Sequence, residues 1–303
     1  MTSSAPLLAA PSPSRWFATR LPIFTGRYDE AATAGTWVGA QALLAADAAP
    51  LRATHAHLVT AYGATPAAAA KWLVSWVAGE LAGVVGFTLA AASAGLLVER
   101  AAVRWRMGPD GRPGRVDPGP AAVAVAVGHP WAGMDGVEVV EDVAGRAVAA
   151  LVEVAGPLVE ACRRLGRVGR AAAWTEVADG VGTAVLHVPG LPVQQRAVDA
   201  LNAALDTAGA PWRRRPLLRV ADTDIGLLYL GRKAGCCLSY QTPPGPEPDP
   251  TTLDDRARAY LERFPRPAGK PEPCGMCSLR DVAGCEARQT FWWEQYRTRT
   301  LGQ

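Results

Sequence analysis

Residues 65–98 read TPAAAAKWLVSWVAGELAGVVGFTLAAASAGLLV, and their interpretation decides the fold. Thr65 followed by Pro66 is an N-cap with proline at the first helical position. The alanines that follow lose no side-chain entropy in a helix, and Leu, Trp and Val continue the apolar run. Leu81 to Val98 holds 18 residues without a charge, which reaches the lower edge for a membrane span. Gly83, Gly86, Ser93 and Gly95 dilute that apolarity, and Lys71 and Glu80 sit just upstream. The reading adopted is a buried central helix of a helical domain, with a membrane span as the alternative.

Working outward, Tyr28 to Val59 carries apolar residues at mixed helical spacing and predicts one or two helices. Residues 1–25 are rich in Ser and Ala and interrupted by Pro6, Pro11 and Pro13, which predicts a flexible tail. Met1 to Pro13 has no basic n-region, so no secretory signal is read and a cytoplasmic location is expected. Downstream, Arg104 to Met107, the turn residues Gly108-Pro109-Asp110-Gly111 and the alternating Ala121 to Val127 predict an antiparallel hairpin. Helices are expected over Val139 to Leu165 (kinked by Pro157), from Ala171 towards Leu186, and over Pro192 to Ala208. Gly180 and Gly182 weaken the second of these.

Arg215 to Val220 and Ile225 to Leu230 predict short strands, and Leu253 to Phe264 a short charged helix between proline-rich loops. Asp281 to Arg299 predicts a C-terminal helix, with Phe291, Trp292, Trp293 and Tyr296 read as packing. The expected fold class is therefore α+β. A mainly helical domain over 26–225 carries a small antiparallel hairpin, and a C-terminal segment over 226–303 contains an insertion at 245–270.

Composition limits the function. About half of the 303 residues are hydrophobic (49%) and 19% are charged, a soluble globular balance that argues against a disordered chain. A net charge of +3 is small for this length and argues against a nucleic-acid binder. One cluster, Arg213-Arg214-Arg215 with Arg219, reads either as a solvated turn or as an anion-binding edge. Of the four histidines, His55 and His57 lie on different helix faces, while His129 and His187 sit beside loop residues. No His-Glu-x-x-His spacing links them, and Gly166-Arg167-Val168-Gly169 is not a dinucleotide fingerprint. Electrons, if the chain moves any, then come from another protein or a small reductant.

Five of the six cysteines fall between Cys236 and Cys285, and Cys162 stands apart as an expected buried apolar residue. The set begins with the doublet Cys236-Cys237, followed after 36 residues by Cys274-Gly275-Met276-Cys277. Cys-x-x-Cys spacing lets both sulfurs face one centre. Adjacent cysteines do so only from an irregular turn, which Gly235 permits. Four thiolates suit either a zinc site or a [2Fe–2S] cluster. The doublet fits a zinc ribbon poorly, whereas a two-iron rhomb spreads its ligands over two metals. Disulfides or unbound thiols are the remaining alternative.

Cys236-Cys237-Leu238-Ser239-Tyr240 with Cys274-Gly275-Met276-Cys277-Ser278-Leu279 resembles the C-terminal motif of FhuF-type ferric-siderophore reductases. The resemblance covers roughly the last 80 residues. It implies that Cys236, Cys237, Cys274 and Cys277 hold a [2Fe–2S] cluster and that the protein reduces a ferric siderophore to release Fe(II). The spacer of 36 residues exceeds the family's usual one, and the surplus, roughly Gly245 to Lys270, is read as a looped-out insertion of small entropic cost. Arg232, Lys233 and Arg280 flank the ligands and are candidates to stabilise a reduced cluster, with solvated side chains as the alternative. A non-enzymatic electron carrier or iron sensor, and a zinc-stabilised interaction module, stand as the other functional readings. Membrane association and nucleic-acid binding are not expected.

Overall fold

Thr65 starts the central helical run: its side-chain oxygen accepts the Ala68 N–H at 3.2 Å, and Pro66 follows at the first position. In the computed structural model, which describes residues 11–25, 35–108, 111–120, 122–186, 193–223, 226–235, 255–264 and 282–301, this run continues to Ala92. It comprises α3 (Pro66–Val74), a π-helical turn (Ser75–Gly79) and α4 (Glu80–Ala92). Ser93 ends it in the left-handed region (φ 54°), its N–H donating back to Leu89 O at 3.1 Å. By length and composition Pro66–Ala92 would suffice to cross a membrane, yet 83% of its most apolar window is buried inside the protein. The run is the core of a helical layer, as read from the sequence.

Around it pack α2 (Ala40–Ala61), α5 (Val143–Leu165), α6 (Arg170–Gly182) and α7 (Gln195–Leu205). The glycines that dilute the run and α6 let the helices touch. A Cβ at Gly180 would lie 2.2 Å from the Gly79 carbonyl oxygen, and one at Gly86 would lie 2.6 Å from that of Val181. Backbone contact of this kind brings dispersion and burial that offset the propensity loss of a helical glycine, about 1 kcal/mol.

Three small sheets lie against these helices. β1 (Thr36–Gly39), β3 (Arg104–Met107) and β4 (Pro113–Asp117) form one antiparallel sheet with β3 in the middle. β2 (Gly95–Leu96), β5 (Val123–Val125) and β6 (Val137–Val139) form another, in which β5 pairs antiparallel with β2 and parallel with β6. β7 (Leu217–Thr223) and β8 (Gly226–Arg232) form a hairpin in register from Leu217↔Arg232 to Thr223↔Gly226. Finally α8 (Asp255–Arg263) and α9 (Val282–Leu301) close the chain. The fold is α+β and mainly helical, as expected.

Several boundaries differ from the sequence reading. Part of the expected tail is helix α1 (Pro13–Thr25), held because Trp16 and Phe17 find aromatic partners. Trp16 lies 5.7 Å from Phe87 and 5.9 Å from Trp131, and Trp131 Nε1 donates to Pro11 O at 2.7 Å. Part of the stretch expected to be helical from Tyr28 is strand β1, because Trp37 and Val38 pair with β3 before α2 begins. The hairpin partner of β3 is β4, not the Ala/Val stretch. An Asp117 turn, in which Oδ1 accepts the Gly119 N–H at 3.0 Å, redirects the chain. All three residues of β5 are buried, which suits an inner strand rather than a half-exposed one.

Candidate functional site

The β7–β8 hairpin delivers the chain to Gly235, the last described residue before the cysteine doublet. Two side chains fix that delivery. From α9, Gln289 clamps Gly231: its Oε1 accepts the Gly231 N–H at 2.9 Å and its Nε2 donates to Gly231 O at 2.7 Å. From α6, Asp179 accepts the Ala234 N–H on Oδ1 at 2.7 Å and the Gly235 N–H on Oδ2 at 2.9 Å. Gly235 is required here by close approach. A Cβ on it would lie 2.7 Å from Glu176 Oε1 and 2.9 Å from Asp179 Oδ2.

Asp179 is 1% exposed, and its carboxyl is pushed up to about 7. Burial is the main cause and the charge of Glu176 adds to it, while the Ala234 N–H, the Lys233 charge and the Gly235 N–H pull the other way. One turn earlier on α6, Glu176 Oε1 lies 2.8 Å from Lys71 Nζ, with side chains 4% and 5% exposed. That oxygen accepts no well-angled hydrogen bond among the described residues, so the contact is an ion pair by distance. Lys71, the one charge in an otherwise apolar α3, is therefore the counter-ion of a buried carboxylate on the neighbouring helix.

A cavity of about 350 Å³ opens beside this junction. Thr54, His57 and Leu58 from α2 line it, with Tyr62 just after that helix. Trp72 comes from α3, and Ser75 and Trp76 from the π-helical turn. Arg112, Glu176 and Lys233 complete the wall. The π-helical turn has a structural partner in Trp105, whose Nε1 donates to Val77 O at 3.1 Å from strand β3. Such turns interrupt the regular ladder and are frequent at functional sites. Here Val77, Ala78 and Gly79 are buried while Trp76 is half-buried against the cavity.

Cys236, Cys237, Cys274 and Cys277 lie outside the described residues, as do His187 and Arg280. Of the insertion, α8 and Phe264 are described; Phe264 meets Phe291 of α9 edge-on at 5.8 Å, and Arg263 pairs with Glu294 at 3.2 Å. The side chains of Trp292 and Tyr296 also lie outside the description, while Trp293 packs beside Ala221, Leu228 and Leu230.

Cys162 is fully buried and its thiol is pushed up to about 12 by burial, the inert apolar role expected of it. Cys285 is 3% exposed, its thiol raised chiefly by burial, and its sulfur accepts from Gln289 Nε2 at 3.1 Å. Among the described residues no group of three or more His, Cys, Asp or Glu is placed to hold a metal ion.

The arginine cluster reads as a surface turn. Trp212 Nε1 donates to Leu205 O at 2.9 Å, Arg215 pairs with Asp206 and Arg219 with Glu286, while Arg213 and Arg214 are exposed. The histidines divide. His129 Nε2 donates to Ala92 O at 2.9 Å and its Nδ1 accepts the Trp131 N–H, capping α4. His55 Nε2 donates to Pro66 O at 2.9 Å, and His57 packs edge-on against Tyr62. Arg232 is part-buried with Nε bonded to nothing among the described residues. Ala173, Trp174 and Thr175 are buried on α6, and Thr175 lies beside Gly235 in the lead-in to the cysteines.

The fold and site together define a helical α+β protein with an aromatic, cation-rimmed cavity beside the start of a cysteine-bearing segment. The chain matches no protein-family model, no curated protein and no solved structure.

Proposed function

We propose that this protein is a one-electron reductase of ferric siderophores, with a [2Fe–2S] cluster held by Cys236, Cys237, Cys274 and Cys277. The observation that carries the reading is the junction: Lys233, three residues before Cys236, lines the cavity, and Asp179 tethers the two residues between them. The donor set fits the group, since four soft thiolates with no hard oxygen ligand suit a two-iron cluster. When bound, such a cluster supplies one-electron chemistry at a potential tuned by nearby charge and solvent access.

The chain's own residues supply position and charge. The Asp179 carboxylate and the Gln289 clamp hold the approach to the doublet, and Lys233 and Arg112 bring positive charge to the cavity rim. An anionic Fe(III) chelate is drawn to such a rim. One electron from an external protein or small reductant converts its Fe(III) to Fe(II), which hard oxygen donors hold less tightly, and the metal is released.

The test begins with absorption and EPR spectra of anaerobically purified protein. Iron and sulfide are assayed in single Cys→Ser variants. Each of the four ligand variants loses the cluster while Cys162→Ser keeps it; full content in Cys237→Ser and Cys277→Ser sinks the assignment. Chemically reduced protein is then mixed with hydroxamate and catecholate ferric complexes, and reoxidation is followed alongside Fe(II) capture. If no complex reoxidises the protein faster than a protein-free control, the electron-carrier or iron-sensor reading replaces reduction of siderophores.

A further inference from the structure

We infer that Arg232 sets the reduction potential of the cluster, its fixed positive charge favouring the reduced form. The inference rests on the cluster assignment above and names the residue of this chain that tunes it. Three cations flank the cysteines in the sequence, and the structure separates them. Arg280 lies outside the described residues. Lys233 is exposed on the cavity wall, and its charge acts on Asp179. Arg232 ends β8 opposite Leu217, and by the strand's alternation it shares a face with Leu228 and Leu230, where Trp293 of α9 packs.

The first observation is a charge without a counter-ion. Arg232 is part-buried, its Nε is buried with no acceptor, and its guanidinium makes no ion pair or hydrogen bond among the described residues. A guanidinium does not shed its proton, and a partly desolvated charge left alone is costly, so the site calls for an anion. The described groups around it do not supply one. Glu286 is taken by Arg219 at 3.1 Å, and Asp179 is engaged by Lys233 and the two tethered N–H groups. The Cys285 thiol is raised by burial, assisted by Glu286, against the Gln289 hydrogen bond and the charges of Arg288 and Arg232. It therefore stays neutral and gives no counter-charge.

The second observation is that the backbone of Arg232 is pinned on both sides. Gln289 of α9 holds Gly231 through bonds of 2.9 and 2.7 Å, and Asp179 of α6 holds Ala234 and Gly235 through bonds of 2.7 and 2.9 Å. The charge thus acts from one place and is not averaged over solvent. The third observation is reach. Cys236 lies four residues on, a span of at most about 14 Å even when fully extended.

Reduction adds one electron and no proton to the cluster, so the reduced form carries one more negative charge. Nearby charge is among the levers that set the potential of such a group. A unit charge about 12 Å away, at an effective dielectric of about 20, shifts the one-electron equilibrium by about tenfold, or about 59 mV. Arg232 acts through this field and is not a ligand.

Full-length protein, purified anaerobically, is titrated with dithionite and mediator dyes while the cluster spectrum is followed. Iron and sulfide are measured on the same samples. In Arg232→Gln the equilibrium constant for reduction falls by at least about fivefold, the larger part of the charge effect above. Arg232→Lys keeps the charge and stays within about twofold of the parent. Leu217 is 47% exposed and directly opposite Arg232, so Leu217→Glu supplies a counter-ion without touching the core. It lowers the constant in the same direction, and it carries the test alone if Arg232→Gln fails to fold. Arg20→Gln, at an exposed arginine of α1, changes the constant by less than about twofold, which separates Arg232 from an effect of net charge. Parent protein without iron and sulfide overturns the cluster assignment and this inference with it. A loaded cluster whose potential is unmoved in Arg232→Gln or in Leu217→Glu, or falls as far in Arg232→Lys as in Arg232→Gln, overturns this inference alone.

Discussion

Replacing Gly235 by alanine tests whether the tether at the cysteine segment operates as the geometry requires. The added methyl would sit 2.7 Å from Glu176 Oε1, 2.9 Å from Asp179 Oδ2 and 3.3 Å from Thr175 Cγ2. Those partners cannot give way easily: Glu176 is held by Lys71, and Asp179 is buried on the same helix. The chain carrying residues 234 and 235 moves instead, and both N–H bonds to Asp179 lengthen or break. Hydrogen bonds to a charged group contribute about 1.5–3 kcal/mol each, so losing both costs roughly 3–6 kcal/mol. Restricting the unfolded chain returns about 0.4–1 kcal/mol, leaving a net loss of roughly 2–5 kcal/mol. Urea unfolding at about pH 8.5, where Asp179 with its midpoint of about 7 is ionised, measures the total, and amide exchange at residues 234 and 235 reports the tether directly. Both amides should lose protection, and iron per chain should fall as the approach to Cys236 shifts. A stability change below about 0.5 kcal/mol with both amides still protected would refute the reasoning, since a clash of this size cannot be absorbed silently.

Two further perturbations address the buried charges behind that tether. Asp179 titrates near 7 in the fold against an ordinary 3.8, so the folded state binds the extra proton between those values. Stability from this group is therefore greatest below pH 4 and is lost as pH rises through 7, by on the order of 4 kcal/mol. Glu176 on its own helix, itself paired with Lys71 from α3, and Lys233 beyond β8 are the charged groups that act on it. Asp179→Asn should flatten the pH dependence of urea unfolding between about pH 4 and pH 7, and a slope equal to the parent's would rule the assignment out. Lys71→Met strands Glu176 as an uncompensated buried charge and should cost about 3–5 kcal/mol in the same assay. Lys71→Met with Glu176→Leu should recover most of that loss; a single-variant cost below about 1 kcal/mol would show that the pair is not buried in solution.

The helical core was legible because its signals are local. Thr65-Pro66 set the start of α3, and the apolar run to Ala92, interrupted by charge only at Lys71 and Glu80, was long enough to outweigh any competing pattern. The misread elements depend on distant partners. Pro13 to Thr25 has a loop-like flank and becomes helix because Trp16 reaches Phe87 and Trp131, residues far along the chain, and Phe17 is buried beside it. Trp37 and Val38 need Trp105 and Arg106 before they read as a strand. Glycines misled in one direction: Gly86 and Gly180 lower helix propensity, and that penalty was visible, but the interhelical approach that compensates for it was not.

The two halves of the candidate site differ in legibility for the same reason. A cysteine pattern is compact in sequence, so Cys236, Cys237, Cys274 and Cys277 stand out without any fold. The cavity draws on residues from Thr54 to Lys233, and no periodicity joins them. The available signal was electrostatic. Lys71 lies between four alanines and Trp72-Leu73-Val74, where a lone ammonium would be costly to bury, so the run demanded an acid from elsewhere. Helix α6 offered Glu176 and Asp179 three residues apart, on one face. Pairing the first with Lys71 leaves the second to bind something else, and the backbone entering the cysteine segment is what it binds. The charge that stabilises the helical core thus also fixes the direction from which the cysteines arrive, which is why changes at Lys71 should be felt at Gly235.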